Sequence, residues 1–208
     1  MLRPKMDGWK ALALSLLTAG LIALVSGCSS DSVPTTAPLS STKPSGEFQY
    51  PELTPELLAA GPAPGYRFVT TNLEPSRTLD AVNCDSMSVS RNCAAGRVNS
   101  VVIPLVTLYI PAGANPWNTV MRIVAPSGCV AVADFYPHPY QFNSPVQIQW
   151  NLKALGLPAG FDYTTLVPFY VTDQGQCVPM PYQFSSDMKW LIVFTNHFSR
   201  YIIGEPEE

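Results

Sequence analysis

The spacing of apolar residues changes near Gly65, and from there onwards it is the spacing typical of β-strands. Short runs rich in Val, Ile, Tyr and Phe are separated by Pro, Gly and Asn, which favour turns. In "SPVQIQW", residues 144–150, Val146, Ile148 and Trp150 alternate with Gln147 and Gln149. Neighbouring side chains of a strand point to opposite faces, so the pattern predicts a strand with one face on a core and the other towards solvent.

Nine strands are predicted in this part of the chain, at residues 66–71, 98–103, 105–110, 120–125, 130–135, 146–151, 166–172, 189–194 and 199–203. Short strands at this spacing, with turn residues between them, favour an all-β fold, an antiparallel β-sandwich over residues 65–208. The 21 prolines of the chain agree with it, because proline breaks helix interiors and is tolerated at strand edges and in turns.

The region before the sandwich has a different composition. Residues 29–46 are mostly Ser, Thr and Pro and have almost nothing to bury, so residues 28–64 are predicted to be a largely disordered tether. One short helix is expected within it, near residues 54–60. Thr54 can cap its start, Pro55 suits the first helical position, and Gly61 followed by Pro62 can end it.

The chain begins with a basic start and an apolar run from Ala11 to Val25, followed by Ser26, Gly27 and Cys28. A basic start, a short apolar run and small residues are the marks of a signal peptide, here residues 1–27, and the run is shorter than the about 20 apolar residues that span a bilayer. The sequence therefore predicts export. An ordinary secretory peptide with a chance cysteine is the alternative.

The segment "LVSGC", residues 24–28, resembles the lipobox of bacterial lipoproteins. The resemblance implies that the peptide is cut after Gly27 and that Cys28 carries fatty acyl chains such as palmitate, which hold the protein to a membrane because each buried methylene contributes about 0.8 kcal/mol. Ser29 follows the lipidated position, and in that family a serine there implies delivery to the outer membrane where the cell has one. The expected membrane contact is thus lipid and not a helix.

The charge of the chain limits the classes of partner that it can bind. Charged residues make up 13% of the chain, the net charge is −3 and no basic cluster is present, which disfavours nucleic acid as a partner.

Four cysteines remain after Cys28, and in an exported protein they suggest disulfides; a short loop favours Cys84 with Cys93 and leaves Cys129 for Cys177. Structural zinc is the alternative, but the chain has no Cys-x-x-Cys pair, and both histidines are far from the cysteines in sequence.

Three segments resemble, in order, parts of the ZU-five-type domain found in ankyrins, netrin receptors and many bacterial envelope proteins. They are "VTLYIPAGANPWNTVMRI" (106–123), "FYPHPYQFNSPVQIQW" (135–150) and "HFSRYII" (197–203), and the resemblance covers about residues 98–203. His138 and Pro139 stand where bacterial relatives usually have a glycine turn, and Cys177 where a Gly-x-Trp pair is common. The resemblance implies a sandwich that acts as a binding or structural module.

The His-Phe-Ser sequence at residues 197–199 raises a second hypothesis. In some eukaryotic relatives the peptide before the serine of a Phe-Ser pair cuts itself, and the resemblance then implies cleavage between Phe198 and Ser199 with His197 as the base. In an extended strand His197, Ser199 and Tyr201 would share a face. The alternative is a structural corner in which these polar groups bind one another.

Other chemistry has little support in the sequence, which lacks a Gly-x-Ser-x-Gly elbow, a His-Glu-x-x-His motif and a Gly-rich phosphate loop. No cofactor or metal is expected, although Asp134, Asp162, Asp173 and Asp187 near loops leave calcium open. The aromatic residues beside turns are expected to cover the rim of the core or to form a glycan or peptide platform: Trp117, Tyr136, Tyr140, Tyr163 and Tyr182.

The leading hypothesis is therefore a lipid-anchored, non-enzymatic envelope protein that binds or holds another envelope component, protein or glycan. A self-cleaving module comes second, and a hydrolase with a divergent site third.

Overall fold

Two antiparallel sheets packed face to face form the part of the chain that the computed structural model describes, residues 48–71 and 86–207. The strands are β1 (Tyr66–Phe68), β2 (Met87–Cys93), β3 (Asn99–Val102), β4 (Val106–Ile110), β5 (Thr119–Ala125), β6 (Val132–Tyr136), β7 (Gln141–Asn151), β8 (Val167–Val171), β9 (Cys177–Pro179), β10 (Tyr182–Phe184), β11 (Trp190–His197) and β12 (Arg200–Pro206). The large sheet has the order β2-β5-β6-β12-β8-β9, with β1 also paired to β12, and the small sheet has the order β10-β11-β7-β4-β3. The predicted all-β sandwich is confirmed.

The core lies between the sheets and follows the alternation seen in the sequence. Val146, Ile148 and Trp150 of β7 are fully buried, whereas Gln147 and Gln149 are half-buried on the other face, as predicted. The same alternation buries Val106, Leu108 and Ile110 of β4, and the residues between them point outwards. The sequence pattern of these strands therefore correctly predicts which residues face the core.

Three strands, β2, β9 and β10, were not predicted, and three others extend well beyond their predicted bounds. β7 begins at Gln141, β11 continues to His197 and β12 continues to Pro206. β2 is an edge strand that is mostly exposed. In "MSVSRNC" Met87, Val89 and Cys93 alternate with polar residues, but Arg91 interrupts the apolar face. β9 and β10 have three residues each, which is too short for any period to appear.

The predicted short helix is present as α1 (Pro55–Ala60), and the Thr54 hydroxyl accepts a hydrogen bond from the Leu57 amide at 3.3 Å. Leu53 and Leu58 pack on a second apolar cluster that includes Phe68, Phe169 and Ile202. This cluster lies on the outer face of the large sheet, so α1 covers that face. Two 3₁₀ turns, Leu152–Leu155 and Tyr163–Thr165, complete the helical elements of the described residues.

A second piece of chain, Phe48–Pro51, also lies on the outer face of the large sheet, and we call it the N-terminal strap. The buried guanidinium of Arg200 donates to the Pro51 carbonyl at 2.6 Å and lies 5.2 Å from the centre of the Tyr50 ring. The Tyr50 hydroxyl donates to the Phe135 carbonyl at 3.3 Å, and burial raises the pKa of Tyr50. The strap is thus bound to the sandwich by specific polar contacts.

A buried ion pair holds the strap site together. Arg200 of β12 donates to both oxygens of Asp134 on β6, at 2.6 and 2.9 Å, and both side chains are almost fully buried. Burial raises the pKa of the Asp134 carboxyl, while the Arg200 hydrogen bonds act in the opposite direction. With Pro51 as a third acceptor, the guanidinium is bonded through all three of its nitrogens.

Of the tether predicted for residues 28–64, residues 48–64 are described and include the strap and α1, which both pack on the large sheet. The rest of the tether, the predicted signal peptide and the acylated Cys28 lie outside the described residues. Cys84 also lies outside them. Within residues 48–71 and 86–207, no helix has the length and apolar character needed to cross a membrane.

The ion pair makes a testable contribution to stability. We expect Asp134→Ala to lower the free energy of unfolding by about 3–5 kcal/mol, because it leaves the buried Arg200 charge without its carboxylate. The double variant Asp134→Leu with Arg200→Met should lose less unfolding free energy than the single variant, since no buried charge then remains. Urea unfolding followed by tryptophan fluorescence measures both values.

Asp187→Ala is the matched control, because the Asp187–Lys189 pair is exposed on both sides and its removal should change the unfolding midpoint little. An Asp134→Ala variant as stable as the Asp187→Ala variant would contradict a structural role for the buried pair.

Candidate functional site

The His-Phe-Ser segment is the place where the chain crosses from one sheet to the other. β11 of the small sheet ends at His197, and β12 of the large sheet begins at Arg200, so Phe198 and Ser199 form the link. The Phe198 ring is 1% exposed and contacts the rings of Phe135, Tyr140 and Phe142. The link is therefore packed into the end of the core and does not lie on the surface.

The carbonyl of Phe198 is bound by His138. The Nδ1 atom of His138 lies 2.7 Å from the Phe198 oxygen, and Nε2 lies 3.0 Å from Oδ1 of Asp173. His138 is itself buried, whereas the Asp173 carboxylate is largely exposed. The sequence favoured His197 as the histidine of this site because it is adjacent in the chain, but the closest imidazole contact to the Phe198 carbonyl comes from His138, 60 residues earlier.

The hydroxyl of Ser199 donates to the carbonyl oxygen of Val171 on β8. Ser199 is 2% exposed, and its own carbonyl accepts from the Phe135 amide at 3.2 Å. Neither imidazole is the acceptor of the hydroxyl proton. The Ser199 hydroxyl is thus bonded to β8 and not to His197, and the chain leaves one sheet and enters the other between these two residues.

Tyr201 ties the two sheets together beside this link. Its ring is fully buried, and its hydroxyl lies 2.8 Å from the His197 carbonyl and 2.9 Å from Oγ1 of Thr195. The strand β11 has a register shift between Thr195 and His197, and the Tyr201 hydroxyl binds there. Desolvation raises the pKa of Tyr201, so its hydroxyl remains a donor.

The predicted disulfides Cys84–Cys93 and Cys129–Cys177 are both absent, because Cys93 and Cys177 are free thiols. Cys93 ends the edge strand β2, and Cys177 begins the edge strand β9 on the opposite side of the large sheet. Cys129 is disulfide-bonded, and its partner is not among the described residues. The prediction rested on the short loop between Cys84 and Cys93 and assigned Cys129 to Cys177 by elimination, and cysteine spacing alone does not determine pairing.

Each of the four loop aspartates has a partner within the protein. Asp134 binds Arg200, Asp162 accepts from the amide and hydroxyl of Thr164, and Asp173 contacts His138. Hydrogen bonds from Lys189 lower the pKa of Asp187 to about 2. Within the described ranges, no group of three His, Cys, Asp or Glu residues is arranged to hold a metal ion.

Two shallow clefts lie beside the edge of the large sheet. One has a volume of about 360 Å³ and lies between the strap residue Phe48, Arg122, Tyr136 and His138. The guanidinium of Arg122 lies 4.3 Å from the centre of the Tyr136 ring in this cleft. The other, about 470 Å³, is lined by Cys93, Asn118 and Val120 among others. The first cleft also contains Ser90, but both ring nitrogens of His138 are bonded elsewhere, to Phe198 and Asp173.

The aromatic residues singled out beside turns mostly cover the rim of the core. Tyr140 is buried, and Trp117, Tyr163 and Tyr182 pack partly buried against the core cluster. Tyr136 contacts the strap residue Tyr50 and Arg122. No platform is formed by this set.

A different set of side chains lies side by side on the outer face of the small sheet. In one row across the strands, Gln147 of β7 stands between Tyr109 of β4 and Phe194 of β11. In the next row, Gln149 stands between Thr107 and Ile192. A third row pairs Asn151 with Trp190. We call these eight residues the open face.

The open face has no charged side chain among its eight residues. It has three amides, three aromatic rings, the hydroxyls of Thr107 and Tyr109 and the aliphatic side chain of Ile192, and Phe194 is 44% exposed. No described helix or strand packs on it, whereas the strap and α1 cover the outer face of the large sheet. The sequence alone shows which residues of β4, β7 and β11 face outwards, but only the strand register shows that these residues are neighbours.

Comparisons of the chain with models of protein families and with curated proteins found no match.

The free thiols can be tested by alkylation. After denaturation without reduction, we expect an alkyl group on the peptides that contain Cys93 and Cys177 and none on the peptide of Cys129. In the folded protein Cys177 should react before Cys93, because Cys93 is 1% exposed whereas Cys177 is half-buried. Peptide mass mapping measures both, with Cys177→Ser as the control. Unmodified Cys93 and Cys177 after denaturation would instead restore the two disulfides expected from the sequence.

Proposed function

We propose that this protein is a lipid-anchored component of the cell envelope, at the outer membrane where the cell has one, and that its ZU-five-like β-sandwich is a non-enzymatic binding module. The open face is its contact surface, and its partner is another envelope component, protein or glycan. The membrane is reached through acyl chains on Cys28.

The observation that carries this proposal is the difference between the two outer faces. The large sheet has its outer face occupied by the strap and by α1, both of which belong to the chain itself. The first described residue, Phe48, contacts Tyr50 and His138 on that side. The open face lies on the opposite sheet, where an anchored molecule is accessible to other envelope components.

The chemistry of the open face supports binding and not catalysis. Its eight side chains include no carboxylate, imidazole, thiol or amine, which are the usual acids, bases and strong nucleophiles of enzymes. Amides and aromatic rings instead supply hydrogen bonds and contact area without chemical reactivity.

The anchor is supported by the sequence "LVSGC" and the basic, apolar leader before it. Several acyl chains hold a protein at a membrane where a single chain gives only reversible binding. A Ser, Thr and Pro-rich tether then gives the sandwich freedom to reach its partner.

Self-cleavage between Phe198 and Ser199 is a second candidate, and one contact favours it. The Nδ1–H group of His138, in the tautomer that carries its proton there, donates to the Phe198 carbonyl, as an oxyanion-stabilising group would. The Ser199 hydroxyl is bonded to the Val171 carbonyl and would have to rotate away from it before attacking. The observed contacts suit a structural corner better.

The intact mass of the purified chain decides between these two roles of the link. We expect the wild type and Ser199→Ala to differ only by the substituted atom, and Ser199→Ala to lose about 1–2 kcal/mol of unfolding free energy because the buried Val171 carbonyl loses its donor. His138→Gln serves as a second variant. Loss of the peptide that begins at Ser199 from the wild type, but not from Ser199→Ala, would establish self-cleavage instead.

The contact surface is tested by adding a charge to it. We expect the immobilised full-length chain, in detergent, to retain a component of an envelope extract, and Gln149→Lys to lose that component because a lysine at the centre of the open face is not matched by any partner charge. Ser88→Lys is the matched control, since Ser88 is exposed on the other sheet. Equal retention by Gln149→Lys and the wild type, or no specific retention at all, would contradict the proposal.

A further inference from the structure

We infer that the partner of the open face is an extended chain of uncharged sugar rings, a neutral glycan strand. The inference rests on the proposed function, because it names the ligand class of the same surface. It follows from three properties of that surface: its lack of charge, the spacing of its amides and the position of its aromatic rings.

The lack of charge argues against an ionic partner. A carboxylate, sulfate or phosphate placed on this face would lose part of its hydration and find no cation among the open-face residues to replace it. Nucleic acid is disfavoured for the same reason, since its binding depends on Lys and Arg. The hydroxyl groups of a neutral glycan have no such requirement.

The amides form a ladder along β7, the central strand of the small sheet. Gln147, Gln149 and Asn151 point outwards in succession, at intervals of roughly 6–7 Å for two residues of an extended strand. Each amide offers both a donor and an acceptor, which matches the hydroxyl group, itself a donor and an acceptor. A ligand with hydroxyls repeating along its length can therefore bind several rungs of the ladder.

The glutamines of the ladder are held in place by each other. The Nε2 group of Gln149 donates to Oε1 of Gln147 at 2.7 Å. Among the described residues, the Gln147 amide nitrogen and the Gln149 amide oxygen have no hydrogen-bond partner, and both atoms belong to half-buried side chains. Prior ordering of these side chains lowers the entropy cost of binding.

Aromatic rings flank the ladder. Tyr109 and Phe194 stand on either side of Gln147, and Trp190 stands beside Asn151. Rings of this kind pack against the apolar C–H faces of a sugar ring, while the adjacent amides bind its hydroxyls. The combination of flat rings and amides on one sheet is thus complementary to both surfaces of a neutral sugar.

A protein partner fits this surface less well. Stable protein interfaces have a desolvated centre that is apolar or aromatic, with polar groups at the rim. Here the central strand carries the amides, and the apolar side chains are at its sides. A protein covering the ladder would have to satisfy each amide, whereas a glycan does so with its repeating hydroxyls.

The test is calorimetry of the full-length chain in detergent with four neutral hexasaccharides: cellohexaose, laminarihexaose, mannohexaose and chitohexaose. We expect saturable binding of at least one, and a loss of about tenfold or more in affinity for Phe194→Ala and for Gln149→Ala, as is typical of central contact residues. Ser88→Ala should bind as the wild type does. A galacturonate hexamer, which is charged at each ring, should not bind.

The inference is overturned if none of the four hexasaccharides binds, if binding survives both substitutions, or if the charged hexamer is preferred. Equal unfolding midpoints for the variants and the wild type show that the substitutions act on the surface and not on folding. If Gln149→Lys removes an envelope component but no sugar binds, the ligand is a protein, so the glycan inference fails and the proposed function stands. If Gln149→Lys removes no envelope component and no sugar binds, both the glycan inference and the proposed function fail.

Discussion

The buried pair of Arg200 and Asp134 is the interaction on which the arrangement of the domain depends. A guanidinium in the interior is costly unless its donors are bonded, and here the carboxylate satisfies two of them and the Pro51 carbonyl a third. The strap therefore lowers the free-energy cost of burying the Arg200 charge. The pair fixes the strap on the large sheet, whose outer face is covered by the strap and α1, whereas no described helix or strand packs on the outer face of the small sheet.

The link between β11 and β12 illustrates how a sequence motif can have a structural explanation. Phe198 fills the end of the core, Ser199 binds β8, and Tyr201 reaches back to β11, so each residue of the motif connects the two sheets. The distant His138 completes the set by binding the carbonyl between them. These requirements account for a His-Phe-Ser-x-Tyr pattern without any reaction.

Much of the fold could be predicted from the sequence because most strands are half-buried, and burial imposes an alternation that is visible in the residues. In the exposed edge strand β2 that alternation is interrupted at Arg91, because side chains that face solvent need not be apolar. Cys93 and Cys177 were misassigned because cysteine spacing alone does not determine pairing. The open face was missed for a related reason: Gln147, Tyr109 and Phe194 are far apart in the chain and become neighbours only through register.

The pairing of β1 with the end of β12 has a practical consequence for handling this protein. Tyr66 lies opposite Pro206, and the Glu207 amide donates to the Gly65 carbonyl at 2.9 Å, so the final described residues lie on the same sheet that carries the strap. A label or sensor linkage attached to the exposed side chain of Glu207 therefore lies on the large sheet and not on the small one. Coupling through Glu207 would present the same surface of every molecule to the solution.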